Sequence, residues 1–148
     1  MATPTVSLTI TRASLSLSPL VVTNTPGSRW IPEDGVARPG RIWRHEFADS
    51  EFVHGGLKTS AKSENSTLQV VLYHQGTTDA NLDSLVAATE AALFQPSFSV
   101  TLAIGSRAPL TYRAWEADVD PGPLDSGMVR EHMERIVATI PVYPIPGS

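Results

Sequence analysis

The chain has 148 residues, an apolar fraction of 41% and 18% charged residues. That length suits one domain with a core built without disulfides, and the charge content lies below the roughly 25% of ordinary soluble domains, which suggests surface covered by a partner. Eleven basic against fifteen acidic residues give a pI near 5.5, so the positive footprint of a nucleic-acid binder is missing; the absence of cysteine excludes disulfides, thiolate metal sites and cysteine nucleophiles.

Residues 1 to 11 lack the basic and apolar regions of a secretory signal, and no apolar run is long enough to span a bilayer, so a protein made in the cytoplasm and not held in a membrane is expected. Val6, Leu8 and Ile10 alternate with Ser7, Thr9 and Thr11, and Leu15, Leu17, Leu20, Val21 and Val22 follow, which predicts two or three short strands within residues 1 to 24. Residues 25 to 40 carry Pro26, Gly27, Pro32, Gly35, Pro39 and Gly40, a density of turn formers that predicts a long loop. Trp30 and Ile31 within it are unusual residues to leave in water and are read as subunit contacts.

Trp43, His45 and Phe47 alternate with Ile42, Arg44 and Glu46 as a strand, and Leu68 to Tyr73 reads as a more deeply buried one. Between them, residues 48 to 67 are polar, with Gly55 and Gly56 in the middle, and are expected to form a second extended loop or an edge hairpin. Asp79 to Phe94 is the one strong helix: Leu82, Leu85, Val86 and Leu93 fall on one stripe, Thr78 or Asp79 caps it and Pro96 stops it. Phe98 to Ile104 and Leu110 to Ala114 predict a hairpin around Gly105 and Ser106. Asp118 to Gly127 is a turn-rich loop. Met128 to Val137 fits a helical stripe as well as a strand, and the strand reading from about Glu131 is preferred because Ile136, Ala138, Ile140 and Val142 keep a period of two. Pro141, Pro144 and Pro146 then suit an edge strand or a tail. The fold class that follows is mainly β: one domain over residues 1–148, a β-sandwich or split β-barrel with one flanking α-helix over 79–94 and long inter-subunit loops.

Residues able to carry chemistry are few. His45, His54, His74 and His132 lack the close pairing of a metal site. His45 reads as a core-edge residue and His54 as a loop brace. Asp49 with Glu51, and Asp118 with Asp120, are acid pairs in turn-rich segments where solvated acids are ordinary. No serine-hydrolase elbow, phosphate loop or dinucleotide fingerprint is present, so no enzyme, cofactor or metal is expected. Trp30, Trp43 and Trp115 would form a sugar-stacking platform only if coplanar and exposed.

The order of elements, with Trp43-Arg44-His45, Val53-His54-Gly55-Gly56 and the closing Tyr143-Pro144, resembles the tail-tube and distal-tail fold of long-tailed bacteriophages and is similar to short minor tail proteins of actinobacterial phages. The resemblance covers roughly residues 40 to 146. It implies a virion structural subunit, made in the host bacterial cytoplasm, that forms a ring with itself, hexameric in expectation. Its other partners would be tail-tube, tape-measure or baseplate proteins, and DNA would pass through without specific binding, which a net negative subunit favours. Trp30, Ile31, Phe52, His54, Lys58, Tyr143 and Ile145 are the expected interface residues. The alternatives are a tail-terminator or head-tail joining subunit and, from another class, a carbohydrate-binding module.

Overall fold

The structure, a computed structural model, describes residues 5–12, 17–39, 42–50, 53–64 and 66–144, with backbone alone over 42–64 and at Ser66 and Pro144. The chain runs β1 (Val6–Ile10), β2 (Leu20–Thr23), β3 (Arg29–Trp30), β4 (Val36–Ala37), β5 (Ile42–Ser50), β6 (Val53–Glu64), β7 (Ser66–Gln75), α1 (Asp79–Leu93), β8 (Phe98–Ile104), β9 (Leu110–Ala114), β10 (Asp118–Pro121), α2 (Ser126–Arg130) and β11 (Met133–Pro144). It is mainly β, as the alternation predicts.

The main sheet follows the order β2-β1-β8-β9-β11-β7-β3, with β10 also on β11 and β4 also on β7. It is nearly closed into a barrel, because the Ile31 amide at the end of β3 donates to the Thr23 carbonyl of β2 at 2.8 Å. The inward rows are the apolar positions of the period-two pattern: Leu8 and Ile10, Val100 and Leu102, Leu68, Val70 and Leu72, and Ile136, Ala138, Ile140 and Val142 are all buried. Each large aliphatic among them contributes about 1.5–3 kcal/mol through the water it sheds. β5 and β6 pair with each other in a separate two-stranded sheet, with register shifts at Glu46/Phe47 and Asp49/Ser50; this ribbon is the hairpin alternative of the two readings for residues 48 to 67.

Three expectations need correction. The 25–40 segment is not a free loop. Gly35 and Ser28 carbonyls accept from the Val71 and Gln75 amides at 2.7 and 3.0 Å, and β3 and β4 lie antiparallel on β7, so the segment covers that strand's second edge. Ile31 is accordingly a core residue, 2% exposed, and not a surface contact. The last strand is not at an edge either: β11 pairs with β7 on one side and with β10 and then β9 on the other. Pro141 is tolerated there because it falls in the gap between β10 and β9. Its carbonyl accepts from the Trp115 amide at 3.1 Å, so the missing N–H faces the same gap and breaks no ladder bond.

Finally, among the described residues a short second helix, α2, precedes the last strand where strand was preferred. Asp125 caps α2 by accepting from the Met128 amide, and the chain leaves through His132 at φ 52°, after which the period-two pattern takes over in β11. The ambiguous stretch is thus first helix, then strand. α1 begins as predicted, with the Thr78 hydroxyl accepting from the Asn81 amide, and Gln95 ties its last turn to β1 by donating to the carbonyls of Ala92 and Thr11.

Gly76, between β7 and α1, has no room for a side chain: a Cβ there would stand 2.6 Å from the Leu82 nitrogen and 2.9 Å from the Thr78 carbonyl oxygen, both backbone atoms. Gly76→Ala is expected to cost about 1–3 kcal/mol in denaturant unfolding. Gly27→Ala, which meets nothing within 4 Å, should stay within about 0.5 kcal/mol of the wild type.

Candidate functional site

Strands β3, β7 and β11 bring three polar residues into one row, since Arg29 pairs with His74 and His74 with Glu134. Residues in cross-strand register share a face, and here that face lies under α1. His74 is fully buried and its Nε2 stands 2.8 Å from the Thr89 hydroxyl. The same hydroxyl accepts from Arg29 Nε at 2.7 Å and donates to the Leu85 carbonyl at 3.1 Å, while a second Arg29 nitrogen donates to Leu85 at 2.9 Å. One hydroxyl proton serves Leu85, so the imidazole donates from Nε2 and stays neutral. Burial first, and then the Arg29 guanidinium, lower the His74 pKa to about 4. This network ties helix to sheet, while the other ring nitrogen, His74 Nδ1, is buried without a hydrogen-bond partner.

Glu134, at the far end of the row, has its pKa raised by burial and then by the carboxylates of Glu90 and Asp83. It lines a groove of about 230 Å³ between the start of α1 and α2. Leu82, Met128 and Met133 line this groove, and Leu124 and Val129 stand at it largely in water, at 59% and 58% exposure. His132 Nδ1 lies 2.7 Å from Asp79 Oδ1 at the same place. A second open groove, about 470 Å³, is walled by the 31–38 segment against Val6 and Ile104. Among the described residues no three His, Asp or Glu side chains converge as a metal site.

Of the residues read as subunit contacts, Trp30 is half-buried and stacks on Tyr73 with ring centroids 5.4 Å apart and planes at 18°. Ile31 is in the core. Tyr143 is exposed on the outward face of β11, in register with Arg113. His54 and Lys58 are on β6, where only backbone is described, and Phe52 and Ile145 lie outside the described residues. Of those whose side chains are described, Trp30, Ile31 and Tyr143 do not share one patch. Trp30 and Trp115 are also far apart, because Tyr73, the partner of Trp30, sits opposite Arg135, six residues along β11 from the Pro141 that holds Trp115, or about 20 Å. Asp118 and Asp120 are exposed on β10. The Arg29–His74–Thr89 network was missed from sequence, although the inward period Leu68, Val70, Leu72 extends without a break to His74.

No protein-family model matches the sequence, and no curated protein is detectably similar to it. Among solved structures, a chain from the structure of the phage P2 baseplate in its activated conformation with Ca has the same fold: the similarity covers 95% of this chain with a TM-score of 0.62 at 11% sequence identity. It covers 44% of that chain, so this protein spans less than half of its length.

Because the His74 pKa falls on folding, its neutral form contributes stability that is whole above the unfolded value of 6.5 and is lost as pH falls towards 4. The loss attributable to this group is on the order of 3 kcal/mol. Urea titrations of wild type and His74→Gln between pH 7 and pH 4 should converge as acid is added, the variant lacking this component of the decline.

Proposed function

We propose that the chain is a non-catalytic structural subunit of a bacteriophage tail, assembling with copies of itself into a ring, hexameric in expectation, of the tail tube or its distal end around the DNA channel. The observation that carries the reading is the fold shared with the phage P2 baseplate chain over nearly the whole of this sequence. The β5–β6 ribbon supports it: nine and twelve residues long and hydrogen-bonded in its own sheet, it offers a reach of about 30 Å beyond what the barrel needs for closure. A ring closes by head-to-tail contacts, which require two unlike surfaces on each subunit. The ribbon, which carries His54 and Lys58, is one, and the exposed face around Tyr143 or the α1–α2 groove is available for the other. The formal charge of −4 keeps DNA moving through such a channel without phosphate contacts.

Light scattering on a sizing column followed by negative-stain imaging is the direct test, with rings or short tubes expected; a monomer at high concentration, alone and with tail-tube, tape-measure or baseplate proteins of its phage, would refute the reading. Replacing residues 42–64 by a short turn is expected to leave a folded, monomeric barrel by circular dichroism, because the main sheet loses no strand. Rings formed by that variant would remove the ribbon from the interface.

A further inference from the structure

Charge is unevenly divided along the chain. Residues 98–114, the β8–β9 hairpin, hold Arg107 and Arg113 and no acid, whereas residues 79–94 hold Asp79, Asp83 and Glu90 and no base, and residues 116–134 hold six acids against Arg130. The acidic stretches meet at the α1–α2 groove. Asp79, Asp83 and Glu134 line it, and Leu124 and Val129 stand exposed at it. Asp79 is matched by His132 at 2.7 Å, and Arg130 donates to the Ser126 carbonyl of its own helix. Among the described residues Asp83 and Glu134 have no ion pair. Burial and the charges of Glu90 and Asp83 raise the Glu134 pKa, a cost that a cation seated in the groove would relieve. At about 230 Å³ the groove is smaller than ordinary ligand pockets and suits one long side chain.

The β8–β9 turn offers that side chain. Residues 105–109 are exposed throughout. The Arg107 amide donates to the Ile104 carbonyl at 3.0 Å and the Gly105 amide to the Thr5 carbonyl at 2.7 Å, with Gly105 at φ 52°. The tip is thus held in one shape before it meets anything, which lowers the ordering cost of a contact. Arg107 has no ion pair among the described residues, and Ala108 and Pro109 follow it as small apolar surface. The other described arginines are placed differently. Arg12, Arg29 and Arg135 are half-buried, Arg130 belongs to the groove's own helix, Arg38 shares the second groove with Glu33 and Asp34, and Arg113 lies within β9.

Turn and groove cannot meet within one subunit. Pro144 of β11 lies opposite Tyr112 and Val142 opposite Ala114, so β11 runs away from the turn as its numbering falls. From Pro144 back to Glu134 is ten residues, or about 30 Å. The two surfaces are therefore at opposite ends of the sheet, and a contact between them joins two copies head-to-tail.

We propose that the α1–α2 groove of one copy receives the β8–β9 turn of the next, with Arg107 between Asp83 and Glu134, and with Ala108 and Pro109 against Leu124 and Val129. The inference rests on the self-assembly reading above and specifies a contact for it. Each copy keeps a free turn or a free groove until the series closes.

The protein contains no cysteine, so disulfide trapping reads the contact directly. Ala108→Cys and Leu124→Cys, both at exposed positions, are purified as full chains, mixed in equal amounts and oxidised mildly. The mixed disulfide is expected to form about tenfold faster than either like-with-like disulfide. Arg107→Glu in the Ala108→Cys chain, or Asp83→Arg in the Leu124→Cys chain, should each slow it about tenfold, and the two reversals together should restore it. Mixed and like disulfides forming at equal rates would overturn the proposal. Such random trapping beside rings of wild-type protein would keep the ring, and beside a wild-type monomer would remove the ring as well. Preferential trapping in a protein that never closes a ring would support the docking and remove the ring. Preferential trapping that the paired reversals fail to restore would overturn the Arg107 pairing.

Discussion

The second edge of β7 is the constraint on which the rest of the barrel depends. β7 contributes four buried inward side chains, Leu68, Val70, Leu72 and His74, and a strand so placed cannot leave its outer row of amides and carbonyls unpaired without a cost of about 1–3 kcal/mol per buried group. Residues 28–37 satisfy that row with four contacts of different kinds: two short bridges and the carbonyls of Ser28 and Gly35. The same segment then reaches β2 through Ile31, so one stretch covers an edge, fills the core and closes the sheet. Gly35 fits there because a Cβ would meet the Pro32 carbonyl at 2.8 Å and the Ile31 side chain at 2.9 Å.

Polar groups in this fold divide by what satisfies them. His74 and Thr89 are buried with the half-buried Arg29 beside them, and their hydrogen bonds anchor α1 while the imidazole stays neutral. Glu134, two strands from Arg29 in the same row, has no such partner and sits among other carboxylates. The first arrangement contributes to the stability of the fold, and the second, a set of like charges, does not.

Much of this was legible because side-chain periods are a direct projection of geometry. The alternation in Val6–Ile10, Phe98–Ile104 and Leu110–Ala114 and the stripe and caps of α1 all became what they predict. Bridges of two residues, as in β3 and β4, leave no period to detect, and the prolines and glycines around them are as compatible with a closing segment as with a loop. Ile31 looked exposed for that reason. Pro141 misled because a proline reports which donor is absent, not whether a neighbour needed it; only the change of partner from β10 to β9 shows that none did. The groove was illegible for another reason: Asp83, Leu124, Val129 and Glu134 are distant in sequence and belong to no single pattern.

The double pairing of β11 also governs the order in which this chain can become native. β7, β9 and β10 precede it in sequence, yet each has β11 as a lateral neighbour, so until residues 133–144 arrive all three present unsatisfied edges. Folding is therefore expected to wait on a late, non-local event and to run in the millisecond-to-second range of non-local β topologies, about that of other sandwiches and barrels. During synthesis the incomplete chain is a set of sticky strands, the state in which chains aggregate or recruit a chaperone. The rate at which native protein appears would then be set by the arrival of β11.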